Sequence, residues 1–89
     1  MQKIYLVMGQ TGEYEDYSKW TVKAFYDKRK AEELVGKASK RAQKIHSMML
    51  KAIDEDRSLP DFKSQYDPNI YMWCNGTSYF IVEVPLDTD

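Results

Sequence analysis

The stretch DKRKAEELVGKASKRAQKIHSMMLKAIDE, residues 27–55, decides the fold. Asp27 places a short carboxylate before a run of strong helix formers, the pattern of an N-cap. From Lys28 to about Glu55, apolar or small residues recur at Ala31, Val35, Ala38, Ala42, Ile45, Met49 and Ala52. The steps alternate between four and three, and Leu34, Met48 and Ile53 widen the stripe, so one face of a long amphipathic helix must be covered. At ~1.5 Å per residue the helix would be ~40 Å long. A compact chain of this size has a radius of gyration of only ~12 Å. The helix is therefore expected to bend near Gly36 or to overhang the layer on which it packs. Its many alanines predict close approach to that layer or to a second helix.

The flanking segments supply the layer. Residues 3–9 (KIYLVMG) are β-branched, aromatic and apolar, and read as a strand. Residues 10–18 are polar and contain Gly12, a loop. Residues 20–26 (WTVKAFY) form a second strand, with Trp20, Val22, Ala24 and Tyr26 on one face and Thr21, Lys23 and Phe25 on the other. After the helix, residues 56–69 hold Pro60 and Pro68 and read as a loop. Residues 70–74 (IYMWC) and 77–85 (TSYFIVEVP) flank Asn75-Gly76, a strong hairpin signal because a type I′ turn needs positive φ at both central positions. This pairing sets Trp73 opposite Ser78 and Tyr71 opposite Phe80. Tyr71, Trp73, Phe80, Val82 and Val84 would then share the core face. The expected fold is α+β in the order β-β-α-β-β: a four-stranded antiparallel sheet with one long helix on one face, residues 1–89 making a single domain.

Composition narrows the function classes. The chain has 89 residues, 43% apolar and 30% charged, with seven Tyr, three Phe and two Trp, which suits one small globular domain. Net charge is -1, so any electrostatic role must come from how charge is distributed. One cysteine, Cys74, excludes an internal disulfide and a multi-cysteine zinc site. No apolar run approaches the ~18 residues of a membrane span, and no basic start precedes an apolar segment. A cytoplasmic location is expected.

The residues that carry chemistry do not form a catalytic pattern. His46 is the single histidine, on the helix flank ~75° from the centre of the apolar stripe, and the sequence pairs it with no metal-ligating or nucleophilic partner. Cys74 lacks a base and reads as a structural thiol. Asn75-Gly76-Thr77 matches a glycosylation triplet, but the turn already accounts for it. Gly9 and Gly12 precede a strand rather than a helix, so they make no phosphate loop. No catalytic residue, metal or cofactor is assigned, and the chain reads as a non-enzyme.

Two surfaces remain. Lys30, Lys37, Lys40, Arg41, Lys44 and Lys51 project from the helix within ~100° of one another, and no acidic residue lies between Lys37 and Lys51. This is either a solvated face or an anion-facing surface. No aromatic residue interleaves the cations, so base stacking from this face is not expected, and nucleic acid is the less favoured partner. Glu13, Tyr14, Glu15, Asp16 and Tyr17 combine carboxylates and phenols in the first loop. They form either a loop folded back on the core or an acidic, aromatic protein-contact patch. If the helix overhangs, Ile45, Met48, Met49 and Ile53 would be exposed in a monomer, which points to a homodimer through the long helix.

The run YLVMGQTGEYEDYS, residues 5–18, followed by a strand ending FYD and a helix opening with KAEE, resembles a group of small bacteriophage and prophage proteins. Their shared pattern is G-x-Y-x-D-Y-S, matched here by Gly12, Tyr14, Asp16, Tyr17 and Ser18, and many close on a V-P-L-D-like ending, as residues 84–87 do. The resemblance covers about the first forty residues and the last few, and no activity attaches to it. It implies a phage accessory protein in the host cytoplasm that binds and inhibits a host protein or ribonucleoprotein complex, with CRISPR effectors and other immune components among the targets. The alternatives are a binder that soaks up a phosphate-containing nucleotide signal, and a nucleic-acid-binding module using the basic helix face.

Overall fold

A computed structural model of the chain describes residues 2–12, 15, 17–56, 58, 63–70 and 76–86. Strand β1 runs Lys3–Thr11, β2 Ser18–Phe25 and β3 Thr77–Pro85, with helix α1, Lys28–Asp54, between β2 and β3. The sheet is antiparallel, in the order β2-β1-β3. No helix of the described residues is long and apolar enough to cross a membrane.

Helix α1 starts where the sequence places it. Asp27 is extended and its carboxylate accepts the Arg29 amide at 2.9 Å, satisfying a donor that the first helical turn leaves open. The helix is continuous through Gly36 and ends at Asp54. Asp56 then turns to φ 52°, and its amide returns to the Ile53 carbonyl at 3.2 Å. A left-handed residue just past the last turn is a common way to end a helix, and Asp tolerates it better than most.

The predicted stripe is the buried stripe: Ala31, Ala38, Ala42, Ile45, Met49 and Ala52 are all buried. The core forms where Ala38 and Ala42 meet Tyr79 of β3, with Val22, Val35, Tyr66 and Ile70 packed around them. Small residues on the helix leave room for the tyrosine ring to lie between the layers. Lys28 lies near Glu83 at one end of β3, and His46 near Gly76 at the other, so α1 runs antiparallel to β3. Its last two turns reach past the sheet. Ile45 and Met49 are nonetheless buried and Met48 is half-buried, which corrects the expectation that these residues would be bare in a monomer. Ile53 is 52% exposed, as that expectation had it.

The four-stranded sheet and the β-β-α-β-β order do not hold. Among the described residues the sheet has three strands and the element order is β-β-α-β. Ile70, the expected first residue of the missing strand, closes a turn instead, its amide donating to the Asp67 carbonyl at 3.1 Å. Its side chain packs against Ala38, Ala42 and Tyr79 in the core. Residues 71–75, with Tyr71, Trp73, Cys74 and Asn75, lie outside the described residues. Gly76 has φ 85°.

The face assignment of β3 is also reversed. Tyr79 is buried against the helix, whereas Phe80, Val82 and Val84 pair with Met8, Leu6 and Ile4 on the sheet's other face. In β2 a register shift opposite the Val7–Met8 step lets Trp20 pair with Gly9 and Phe25 with Tyr5. Trp20 and Phe25 therefore follow the same face of β1 on either side of the bulge. Strict alternation had set them on opposite faces.

Candidate functional site

A buried polar cluster surrounds Asp67. The segment 63–70 folds on itself: Ser64 Oγ accepts the Tyr66 amide at 3.2 Å and the Ser64 carbonyl accepts the Asp67 amide at 3.3 Å. Asp67 Oδ1 accepts the Asn69 amide at 3.2 Å, an Asx turn carried over Pro68. Oδ2 accepts from Trp20 Nε1 at 2.9 Å and from Tyr79 Oη at 2.8 Å. Asp67 is 0% exposed. Gly9 makes this possible, because a Cβ there would sit 2.6 Å from Trp20 Cε2. The indole thus lies flat on β1 with its N–H aimed at Asp67. Burial, then the hydrogen bond and negative charge of Asp67, push the Tyr79 hydroxyl far above its ordinary range. The Asp67 carboxylate is enclosed and both of its oxygens accept hydrogen bonds. The cluster pins the loop to the sheet.

A cleft of about 330 Å³ opens at the end of the sheet beside this core, lined by Gln10, Thr11, Tyr17, Gln43, His46 and Ser78 and by the backbone at Gly12 and Gly76. Each wall comes from a different element: the end of β1, the β1–β2 connection, the middle of α1 and the start of β3. Tyr17 Oη donates to Gln10 Oε1 at 2.6 Å, and Gln10 Nε2 donates to Ser78 Oγ at 3.1 Å. Thr11 Oγ1 donates to the Gly76 carbonyl at 2.7 Å, tying β1 to the approach to β3. The His46 ring lies against Gly76, 3.3 Å from where a Cβ would be. Among the described residues, none that line the cleft is Lys, Arg, Asp or Glu.

The residues singled out from sequence are dispersed. Lys30, Lys37, Lys40, Lys44 and Lys51 are exposed along one flank of α1. Among the described residues the ion pairs are Lys3 and Lys28 with Glu83, at 3.6 and 3.8 Å, and none involves that flank. Arg41 differs from its neighbours. Its Nε and Nη2 donate to the Lys63 carbonyl at 3.2 and 2.9 Å, so it fastens the loop that leads to Asp67. Of the acidic, aromatic loop, Glu15 is exposed and Tyr17 is 47% exposed while bonded back to Gln10. Glu13, Tyr14 and Asp16 lie outside the described residues. His46 is at least ~120° around the helix from every lysine of the flank, so the cleft and the basic surface are separate. Among the described residues, no three His, Cys, Asp or Glu side chains gather to hold a metal.

Sequence reasoning passed over Asp67 and Gln10. The signal for Asp67 was present: Asp-Pro-Asn is an Asx-turn sequence, and buried Trp and Tyr need polar partners for their N–H and O–H. Gln10 had no such signal, since its role depends on β1 extending two residues beyond the apolar run. No protein-family model matches the chain, and searches of curated proteins and of solved structures found no significant match.

Proposed function

We propose that this chain is a non-enzymatic binding protein that acts by occupying an acidic surface of a macromolecular complex, with the basic flank of α1 as the contact. The observation that carries this reading is the row Lys30, Lys37, Lys40, Lys44 and Lys51, exposed and without a carboxylate partner among the described residues. The row extends over ~30 Å of a rigid helix. Cations left unpaired in a chain of net charge -1 steer association with an anionic partner and set its orientation. The resemblance to phage accessory proteins supports a host protein or ribonucleoprotein complex as the partner, with inhibition of host defence as the outcome. The rival reading as a nucleotide sponge draws no support from the cleft, where no described lining residue is Lys or Arg.

The test is the triple variant Lys37→Glu, Lys40→Glu, Lys44→Glu, with Arg41 left intact because it holds the 63–70 loop. The variant is expected to fold like the parent by circular dichroism. It should lose both protection of phage in a defence-proficient host and retention of the host complex on an affinity column. Full activity from the folded variant would show that the lysine flank is merely solvated.

A further inference from the structure

We infer that the outer edge of β3 is a docking site for an extended, uncharged peptide segment of a partner protein, which adds to the sheet as a further strand. The inference begins with the backbone. Among the described residues β3 is an edge strand, in the sheet order β2-β1-β3. Its register against β1 is unbroken from Lys3↔Pro85 to Thr11↔Thr77. One step past the ladder, the Leu86 amide donates to the Gln2 carbonyl at 2.8 Å. Bonded positions alternate in an antiparallel pair, so Val84, Val82, Phe80 and Ser78 turn their backbone groups toward β1. Tyr79, Ile81 and Glu83 turn theirs outward, a row of alternating N–H donors and carbonyl acceptors. No backbone group of the described residues bonds to that row. The other edge is built differently. There β2 carries Lys19 and Lys23, and its register shifts opposite the Val7–Met8 step. Lysines and bulges blunt an edge against added strands. β3 has no such device, and its one charged residue, Glu83, is held by Lys3 and Lys28.

The borders of the edge fix the chemistry of its occupant. One flank of α1 follows β3: Lys28 reaches Glu83, Val35 packs on the core at Tyr79, and His46 lies against Gly76. Arg41, on the other flank, holds the 63–70 loop. From Val35 to Ile53 the flank along β3 spans ~100° and carries Gly36, Ser39, Gln43, His46 and Leu50, with no Lys, Arg, Asp or Glu. On the opposite face of the sheet the edge is bordered by Phe80, Val82 and Val84. An added strand therefore meets apolar or uncharged side chains on both of its faces. Charged side chains would be desolvated there without partners, whereas β-branched and aromatic ones fit. A second copy of the chain fits poorly. Antiparallel self-pairing would bring its α1 to the same face, over a strand ~4.8 Å away, where packed helices need about 8–10 Å. A peptide strand brings no helix. The site is separate from the lysine flank, which faces away from β3.

Hydrogen exchange of the free chain tests the premise. The Tyr79, Ile81 and Glu83 amides are expected to exchange fast, and those of Phe80, Val82 and Val84 slowly, because β1 protects them. Protection at all six would mean that the edge is already covered, by another part of the chain or by a second copy, and would overturn the assignment. A panel of capped seven-residue peptides of valine, isoleucine, tyrosine and threonine would then be titrated with amide NMR detection. At least one is expected to bind saturably, with a Kd of about 1 mM or tighter, and to slow exchange at Tyr79, Ile81 and Glu83. Its N-methylation at alternate residues should weaken binding about tenfold or more in one frame and little in the other, since only one frame bonds to β3. Ile81→Pro removes an outward N–H and spares the β1 ladder, so the folded variant should lose binding. The N-methyl comparison decides the matter if that variant does not fold. The Lys37→Glu, Lys40→Glu, Lys44→Glu variant should bind the peptide as the parent does. No saturable binding from the panel, equal weakening in both N-methyl frames, or loss of binding in the lysine variant would overturn the inference.

Discussion

Asp67 carries a carboxylate to full burial with neutral donors around it: an indole, a phenol and a backbone amide. Hydrogen bonds to a charged group are each worth about 1.5–3 kcal/mol, and an unmatched buried donor costs a comparable amount. Asp67→Asn keeps the shape but turns an NH₂ either toward the Trp20 and Tyr79 donors or toward the Asn69 amide. It is expected to destabilise by about 2–3 kcal/mol, lowering Tm by roughly 10–20 °C for a domain of this size. An unchanged thermal melt would contradict the buried network. Tyr79→Phe removes one of the bonds without a change of packing and should cost about 1 kcal/mol. It should also alter the alkaline limb of stability. The Tyr79 hydroxyl is held protonated in the folded state, with its pKa raised above the unfolded value of about 10. Its contribution is therefore complete below pH ~10 and is lost above it, because the unfolded chain releases the proton first. Denaturant unfolding at pH 9 and 11 should show a smaller loss of stability in Tyr79→Phe than in the parent.

Strands and helix were legible where one period dominates the sequence and illegible where two readings shared it. The ends of β3 and the start of α1 coincide with expectation, since Gly76, Pro85 and Asp27 are local signals that act on their immediate neighbours. The core face of β3 was not decidable from alternation, because Tyr79 and Ile81 compete with Phe80, Val82 and Val84 and both sets are apolar. The competition is settled by Asp67, which the hairpin reading keeps away from Tyr79 but which takes its hydroxyl. In β2 a one-residue bulge defeats a period-two pattern, and nothing in WTVKAFY announces it. Gly36 was read as a possible hinge, yet α1 is continuous through it. A Cβ there meets nothing within 4 Å, and the residue is exposed. Gly36→Ala should therefore stabilise the protein by about 0.5–1 kcal/mol, the difference between Gly and Ala in a helix interior. An increase in Tm of a few degrees would confirm an uninterrupted helix. A decrease would mean that the glycine serves a bend that α1 lacks.

The proportions of the molecule follow from a helix longer than the sheet that carries it. The Cα atoms span 56 × 27 × 15 Å, and the radius of gyration is 15.1 Å, against ~12 Å for a compact chain of this length. Strands of nine residues reach ~30 Å and α1 ~40 Å, so a mismatch is built in at the level of element lengths. One helix on a three-stranded sheet makes two layers, which is why the shortest dimension is so small. It also leaves a second apolar face, where Ile4, Leu6 and Met8 meet Val84, Val82 and Phe80, with Val82 37% exposed. The homodimer expected through the helix stripe loses its main support, since Ile45 and Met49 are buried within the single chain. Leu50 and Ile53 remain as exposed apolar residues near the helix end, at 46% and 52%. Among the described residues the helix end exposes these two and the far sheet face exposes Val82 alone to that degree, short of the contiguous patch that marks a stable interface. Small-angle scattering at low micromolar concentration should then give the mass of one chain and a radius of gyration near 15.1 Å. A radius near ~12 Å at the same mass would require α1 to fold back on itself, against the continuous helix. A forward-scattering mass of two chains would restore self-association. Repeating the measurement with Val82→Thr and with Ile53→Gln would then separate pairing through the open sheet face from pairing through the helix end, since only the variant in the true interface would return the mass to one chain.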